Sequence, residues 1–65
     1  MLRLKHERLR LGLTQLDVAA RTGIGPSVIS SLESGKRKPG PLWGYKLSRL
    51  FALTVDELLE EVPDD

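Results

Sequence analysis

Three successive cations, Lys36, Arg37 and Lys38, follow a segment, residues 15 to 34, that reads as two short helices joined through Gly23. Cations in a loop draw phosphates toward them, and a helix pair at this spacing presents one helix to a groove of DNA while the other braces it. The chemistry on offer is reversible binding of a polyanion. Catalytic chemistry has no foothold. There is no cysteine, the one histidine, His6, lies between Lys5 and Glu7 on what reads as an exposed helix face, and no glycine-rich phosphate loop occurs. A single imidazole without thiolates builds no zinc centre, and a helical chain this short offers no deep pocket. Neither an enzyme, nor a metal, nor a cofactor is expected.

The formal net charge of +1 conceals a division along the chain. Residues 1 to 40 carry eight Lys or Arg against three Asp or Glu, a balance of +5, whereas residues 41 to 65 carry two against six, a balance of −4. The basic part can follow phosphates, and the acidic end, residues 56 to 65, is expected to point away from them. At 65 residues the chain reads as one domain, residues 1 to 65, near the lower limit for a core without disulfides or metal, and self-association would help it. No stretch approaches the roughly 20 apolar residues that cross a bilayer, and Met1-Leu2-Arg3-Leu4-Lys5-His6-Glu7 is unlike a signal peptide. A cytoplasmic location is expected.

Five helices must position these residues. Leu4, Leu9 and Leu11 give the first, at about residues 2 to 11, its apolar side, and Gly12 stops it. Thr14 caps the second with Asp17 in capping-box spacing, and Gly23, free to take a positive φ, closes it. Gly25 caps the third, Pro26 takes its first position, where a missing N–H costs nothing, and Gly35 ends it. After a basic loop, residues 36 to 40, Pro41 begins a fourth helix running to about Phe51. Thr54 and Glu57 form a second capping box for a fifth, ended by Pro63. Val18, Ile24, Ile29 and Leu32 can turn to one core, and Ala19 is small enough to let the second and third helices approach. No strand pattern or repeat is present.

The strings Gly12-Leu13-Thr14-Gln15, Val18-Ala19, Gly23-Ile24, Val28-Ile29-Ser30, Leu32-Glu33, Gly35-Lys36-Arg37-Lys38-Pro39 and Thr54-Val55-Asp56-Glu57-Leu58-Leu59 stand in a familiar order and spacing. Over residues 4 to 59 the chain resembles the Cro and phage-repressor type of helix-turn-helix, the Xre-like family. The resemblance implies an all-α fold, a compact five-helix bundle of the lambda-repressor-like DNA-binding kind with its helix-turn-helix at about residues 15 to 34. It further implies a transcriptional regulator, a repressor, that binds a palindromic operator in double-stranded DNA as a homodimer with the third helix in the major groove.

Roles for individual residues follow from the same resemblance. Gln15 stands at the start of the second helix, where the backbone N–H and helix dipole favour a phosphate and its amide can also reach bases or the third helix. Ser34, Lys36, Arg37 and Lys38 match the loop that the family lays along the DNA backbone, with Arg10 reaching from the flank. Pro26, Ser27 and Ser31 match the groove-facing positions. Here the chain departs from relatives that carry Gln, Arg or Asn: a proline ring and two short hydroxyls offer sparse direct readout, which leaves specificity to water, DNA shape and half-site spacing. Val28 either touches a thymine methyl or packs against the second helix. Arg8 and Glu33 occupy positions that the family pairs as a structural ion pair, the outer edge of Arg8 being free to share a phosphate.

The fourth helix departs further. Gly44 and Pro41 stand where relatives bury large aliphatic residues, and Trp43 can refill the gap, packing with Leu47 and Leu50. The other placement open to Trp43 is a dimer surface, because the family associates through the region after the basic loop. Tyr45, Leu50 and Leu53 are the interface residues expected there. A second class of function is an antitoxin or other protein-interaction module of the same fold, its acidic residues 60 to 65 either gripping a basic partner or simply solvated.

Overall fold

Two threonines start two of the helices by the same reciprocal bonding. The Thr14 hydroxyl accepts from the Asp17 N–H at 3.0 Å while the Asp17 carboxylate accepts from the Thr14 N–H at 2.8 Å. Thr54 and Glu57 repeat the arrangement at 3.1 and 2.9 Å. Donation from the threonine backbone, then from its hydroxyl, holds both carboxyls below their usual range. Pro26 and Pro41 open two more helices behind the glycines Gly25 and Gly40. The result, in a computed structural model that describes residues 1–64, is α1 (Arg3–Arg10), α2 (Gln15–Thr22), α3 (Pro26–Glu33), α4 (Pro41–Phe51) and α5 (Val55–Leu58). Gly23 takes the left-handed conformation, φ 75°, that ends α2. The buried Thr22 hydroxyl reinforces this turn, donating to the Val18 carbonyl at 2.7 Å and accepting from the Ile24 N–H at 3.2 Å.

The core takes a residue from every helix and one from the turn: Leu4, Val18, Ile24, Ile29, Leu32, Leu47, Phe51 and Leu58 are all buried. The four apolar residues expected inside from the helix-turn-helix segment are there. Ala19, half-buried where α2 and α3 meet, is packed against this core. No helix among the described residues is long and apolar enough to cross a membrane.

Two local expectations are corrected, and the leucines that make the first helix partly apolar divide: Leu4 is inside, while Leu9 and Leu11 are 50% and 46% exposed. Helical periodicity from Leu4, the one buried leucine of α1, leads three and four positions on to Glu7 and Arg8, and these two polar residues are buried in their place. The fifth helix ends at Leu58, well before Pro63, because the chain turns back there to pair its backbone with residues 1–3. Arg3 N–H donates to the Glu60 carbonyl and Val62 N–H to the Met1 carbonyl, each at 2.8 Å, in an antiparallel bridge between Leu2 and Glu61. Finally, the space left by Gly44 is filled by Val55 of α5 and not by Trp43. A Cβ on Gly44 would lie 2.9 Å from Val55 Cγ2.

The fourth helix therefore inverts ordinary propensity: glycine lies inside it, and Ala52, at its C-cap, holds the left-handed conformation at φ 56°. In an open helix Gly44→Ala would stabilise by about 1 kcal/mol. Here it is expected to destabilise, because the stiff Val55 side chain must be displaced, and the melting temperature should fall by about 4–8 °C. Ala52→Gly should raise it by about 2–4 °C. Thermal melts check both signs, and adding Val55→Ala to Gly44→Ala should restore the lost stability.

Candidate nucleic-acid interface

Helix α3 is oriented by a charge buried beneath it. Glu33 and Arg8 are 6% and 7% exposed. Arg8 Nε donates to Glu33 Oε2 at 2.6 Å, Nη2 to Oε1 at 3.1 Å, and Nη1 to the Leu13 carbonyl at 2.8 Å. Gln15, half-buried at the start of α2, donates its Nε2 to Glu33 Oε1 at 3.2 Å. One carboxylate of α3 is thus held by α1 through a guanidinium fork and by α2 through an amide.

With Ile29, Leu32 and Glu33 turned inward, α3 leaves Pro26, Ser27 and Ser30 exposed. Ser31, expected among the exposed residues, is half-buried, and Ser30 takes the outward place. The signal was available in the spacing, since Ser30 follows Pro26 and Ser27 by one helical turn. Val28 is half-buried against the core. The carbonyl of Ser31 accepts from the backbone N–H of Lys36 at 3.0 Å and of Arg37 at 3.3 Å, and from the Ser34 hydroxyl at 3.1 Å. The basic loop is therefore tied to the last turn of α3. Lys36, Arg37 and Lys38 are exposed, and among the described residues none has a carboxylate partner. The Arg37 guanidinium lies over the ring of Trp43, 5.0 Å from its centroid.

The remaining candidates are less closely gathered. Arg10 bonds Glu7 Oε1 through Nε at 3.1 Å and Nη2 at 2.8 Å, which holds the Glu7 carboxyl below its usual range. Its guanidinium remains largely exposed. Of the residues expected at a dimer interface, Tyr45 is 58% exposed while Leu50 and Leu53 are half-buried against the core; Trp43 also packs there. His6, expected at the surface, is half-buried, its Nδ1 3.6 Å from Glu7 Oε2 and without a hydrogen-bond partner. Of the C-terminal residues, the apolar Leu59 lines a cleft with Gly35, Arg37 and Lys38, while the acidic side chains lie against the N-terminal end: Glu60 is 3.9 Å from Arg3, and Asp64 and Glu61 are 2.6 and 3.6 Å from the Met1 amine. Burial of Leu58 and backbone pairing set this placement. Among the described residues no group of three His, Cys, Asp or Glu is arranged as a metal would need.

Removing one partner of a buried pair strands the other charge, at a cost of about 3–5 kcal/mol. A chain of this length has only about 3–10 kcal/mol in total. Arg8→Ala is therefore expected to leave the protein largely unfolded or close to it, whereas Arg8→Met together with Glu33→Met should recover most of the loss. Thermal melts decide the matter. A melting point unmoved by Arg8→Ala, with DNA affinity lost, would make Arg8 a phosphate ligand and not a brace.

Comparison with known proteins gives the family of the chain. A helix-turn-helix family profile matches residues 4–58. The chain is 39% identical over 57 residues to an uncharacterized HTH-type transcriptional regulator, y4dJ, of Sinorhizobium fredii, a match covering 88% of this chain and 70% of that protein. It is 32% identical over 56 residues to an uncharacterized HTH-type transcriptional regulator of Archaeoglobus fulgidus, covering 86% and 80%. A further such regulator, from Methanocaldococcus jannaschii, is 29% identical over 56 residues, covering 86% and 85%. No solved structure matches the chain. With the profile spanning most of its length, the chain belongs to the helix-turn-helix family of the Cro and phage-repressor, Xre-like, type, a family of DNA-binding transcriptional regulators and not of enzymes.

Proposed function

We propose that this chain is the DNA-binding domain of a cytoplasmic repressor that seats α3 in the major groove of a palindromic operator, two copies to a site. The observation that carries the reading is the pairing of an exposed edge on α3 with three exposed cations that have no carboxylate partner among the described residues, two of them, Lys36 and Arg37, bonded through their backbone N–H groups to the end of the same helix. In this reading Lys36, Arg37, Lys38 and Ser34 take phosphates, Gln15 takes a phosphate or base edge at the start of α2, and Arg10 contributes the outer edge of its guanidinium. Pro26 and Ser27 meet the bases, with Ser31 contributing from the edge of the interface. A proline and short hydroxyls discriminate weakly, so operator-level specificity comes from repeating the contact in a second half-site.

In that arrangement two recognition helices reading successive turns on one side of the duplex lie about 34 Å apart. Tyr45, with Leu50 and Leu53 beside it, is the apolar contact in this reading.

Affinity should fall steeply with salt, with a slope of log affinity against log salt of roughly −4 to −5 if about four to six phosphates per dimer are neutralised. Lys36→Ala should weaken every duplex alike and flatten that slope by about 2 per dimer, whereas Ser27→Ala should weaken only the operator. Titrations at several salt concentrations that gave no slope would rule the mechanism out.

The saturated operator complex should hold two chains. Tyr45→Glu, which leaves the core untouched, should weaken operator binding by about tenfold or more without moving the melting point. One chain per site, with the variant binding as tightly as the parent, would make the protein a monomeric binder.

A further inference from the structure

We propose that Trp43 is a positioning residue for DNA binding: it holds the Arg37 guanidinium against its ring, so that the arginine's fork is already presented when a backbone phosphate arrives. The inference rests on the reading of residues 36–38 as phosphate contacts. Arg37 is exposed, its guanidinium carbon lies 5.0 Å from the Trp43 centroid, and no carboxylate among the described residues competes for it. Trp43 is half-buried against the core in the first turn of α4, so it is a fixed platform and not a second mobile side chain. The backbone of Arg37 is fixed as well, through its N–H to the Ser31 carbonyl at 3.3 Å. Held at both ends, the side chain has little rotamer freedom left to lose on binding.

Stacking suits this purpose because a guanidinium is weakly hydrated over its faces and carries its donors around its edge. Covering a face with an indole leaves the edge free for two parallel bonds to one phosphate. Arg37, Lys38 and Trp43 line one open groove, so the held arginine and the neighbouring lysine face the same space. Lysine at position 37 would keep the charge but lose both the stack and the fork.

The test is a double-mutant cycle in affinity for a duplex of arbitrary sequence at low salt, since phosphate contacts do not depend on sequence. Trp43→Leu should weaken binding by about three- to fivefold and lose its effect in an Arg37→Ala background, while Trp43→Phe, which keeps an aromatic face, should recover most of the loss. Additive losses in the double variant, or equal losses for Leu and Phe, would overturn the positioning role. If Arg37→Ala leaves affinity and salt slope unchanged, the phosphate reading of Arg37 fails and the proposal falls with it. If Arg37→Ala weakens binding and Trp43→Leu does not, only the positioning role falls. The NMR spectrum of the unaltered protein supplies a readout independent of any variant's folding. Ring current from Trp43 should move the Arg37 side-chain protons upfield, and random-coil positions for them would remove the stack on which the proposal stands.

Discussion

A carboxylate buried under α3 is the constraint around which the rest is arranged. Glu33 lies where water cannot solvate it, and a bare charge there would be prohibitive. Arg8 answers it with a fork and Gln15 with an amide, and the third guanidinium nitrogen of Arg8 takes up the Leu13 carbonyl in the connection between α1 and α2. Three helices and a loop therefore meet at one ion pair. The pair contributes less through net attraction than through direction, because hydrogen bonds to a carboxylate fix the azimuth of α3 in a way that apolar packing alone does not.

Once that azimuth is fixed, the division of α3 follows. Ile29 and Leu32 join the core beside Glu33, and the opposite edge is left with proline and serine. The core is small, so the closing contacts matter. Val55 of α5 fits against the bare backbone at Gly44, and the left-handed Ala52 between them makes the bend sharp enough for α5 to lie there. Local strain at Ala52 is offset by burial of Phe51 and Leu58 on either side of it.

Most helix boundaries were legible because capping is local chemistry. A threonine followed three positions later by an acid, a proline after a glycine, and Gly23 itself declare an end or a beginning from nearest neighbours alone. The fold class and the family were legible for the same reason, as a series of such signals in fixed order. What escaped depended on the third dimension. The three leucines of a partly apolar first helix did not declare that it meets the core through Leu4 and sends Glu7 and Arg8 inward. The partner of Gly44 lay eleven positions away in another helix, beyond any helical spacing. At the candidate site the inward pair and the exposed loop cations were legible, and the outward place of Ser30 was readable from its spacing of one helical turn after Pro26 and Ser27, although the resemblance pointed to Ser31.

The bonds from Lys36 and Arg37 to the Ser31 carbonyl have a mechanical consequence. A phosphate-seeking loop on a slack tether would adjust to any duplex, and its charges would say nothing about what the helix beside it had found. Bonded to the last turn of α3, the loop instead moves with the helix as one rigid jaw, at a fixed offset between cations and reading edge. Such a jaw works as a caliper. If this face meets a duplex as proposed, a groove too wide or too narrow would leave helix and loop unable to seat together, and the misfit would cost phosphate contacts. In that reading a face of serines and proline registers the form of a binding site that it has few means to read letter by letter.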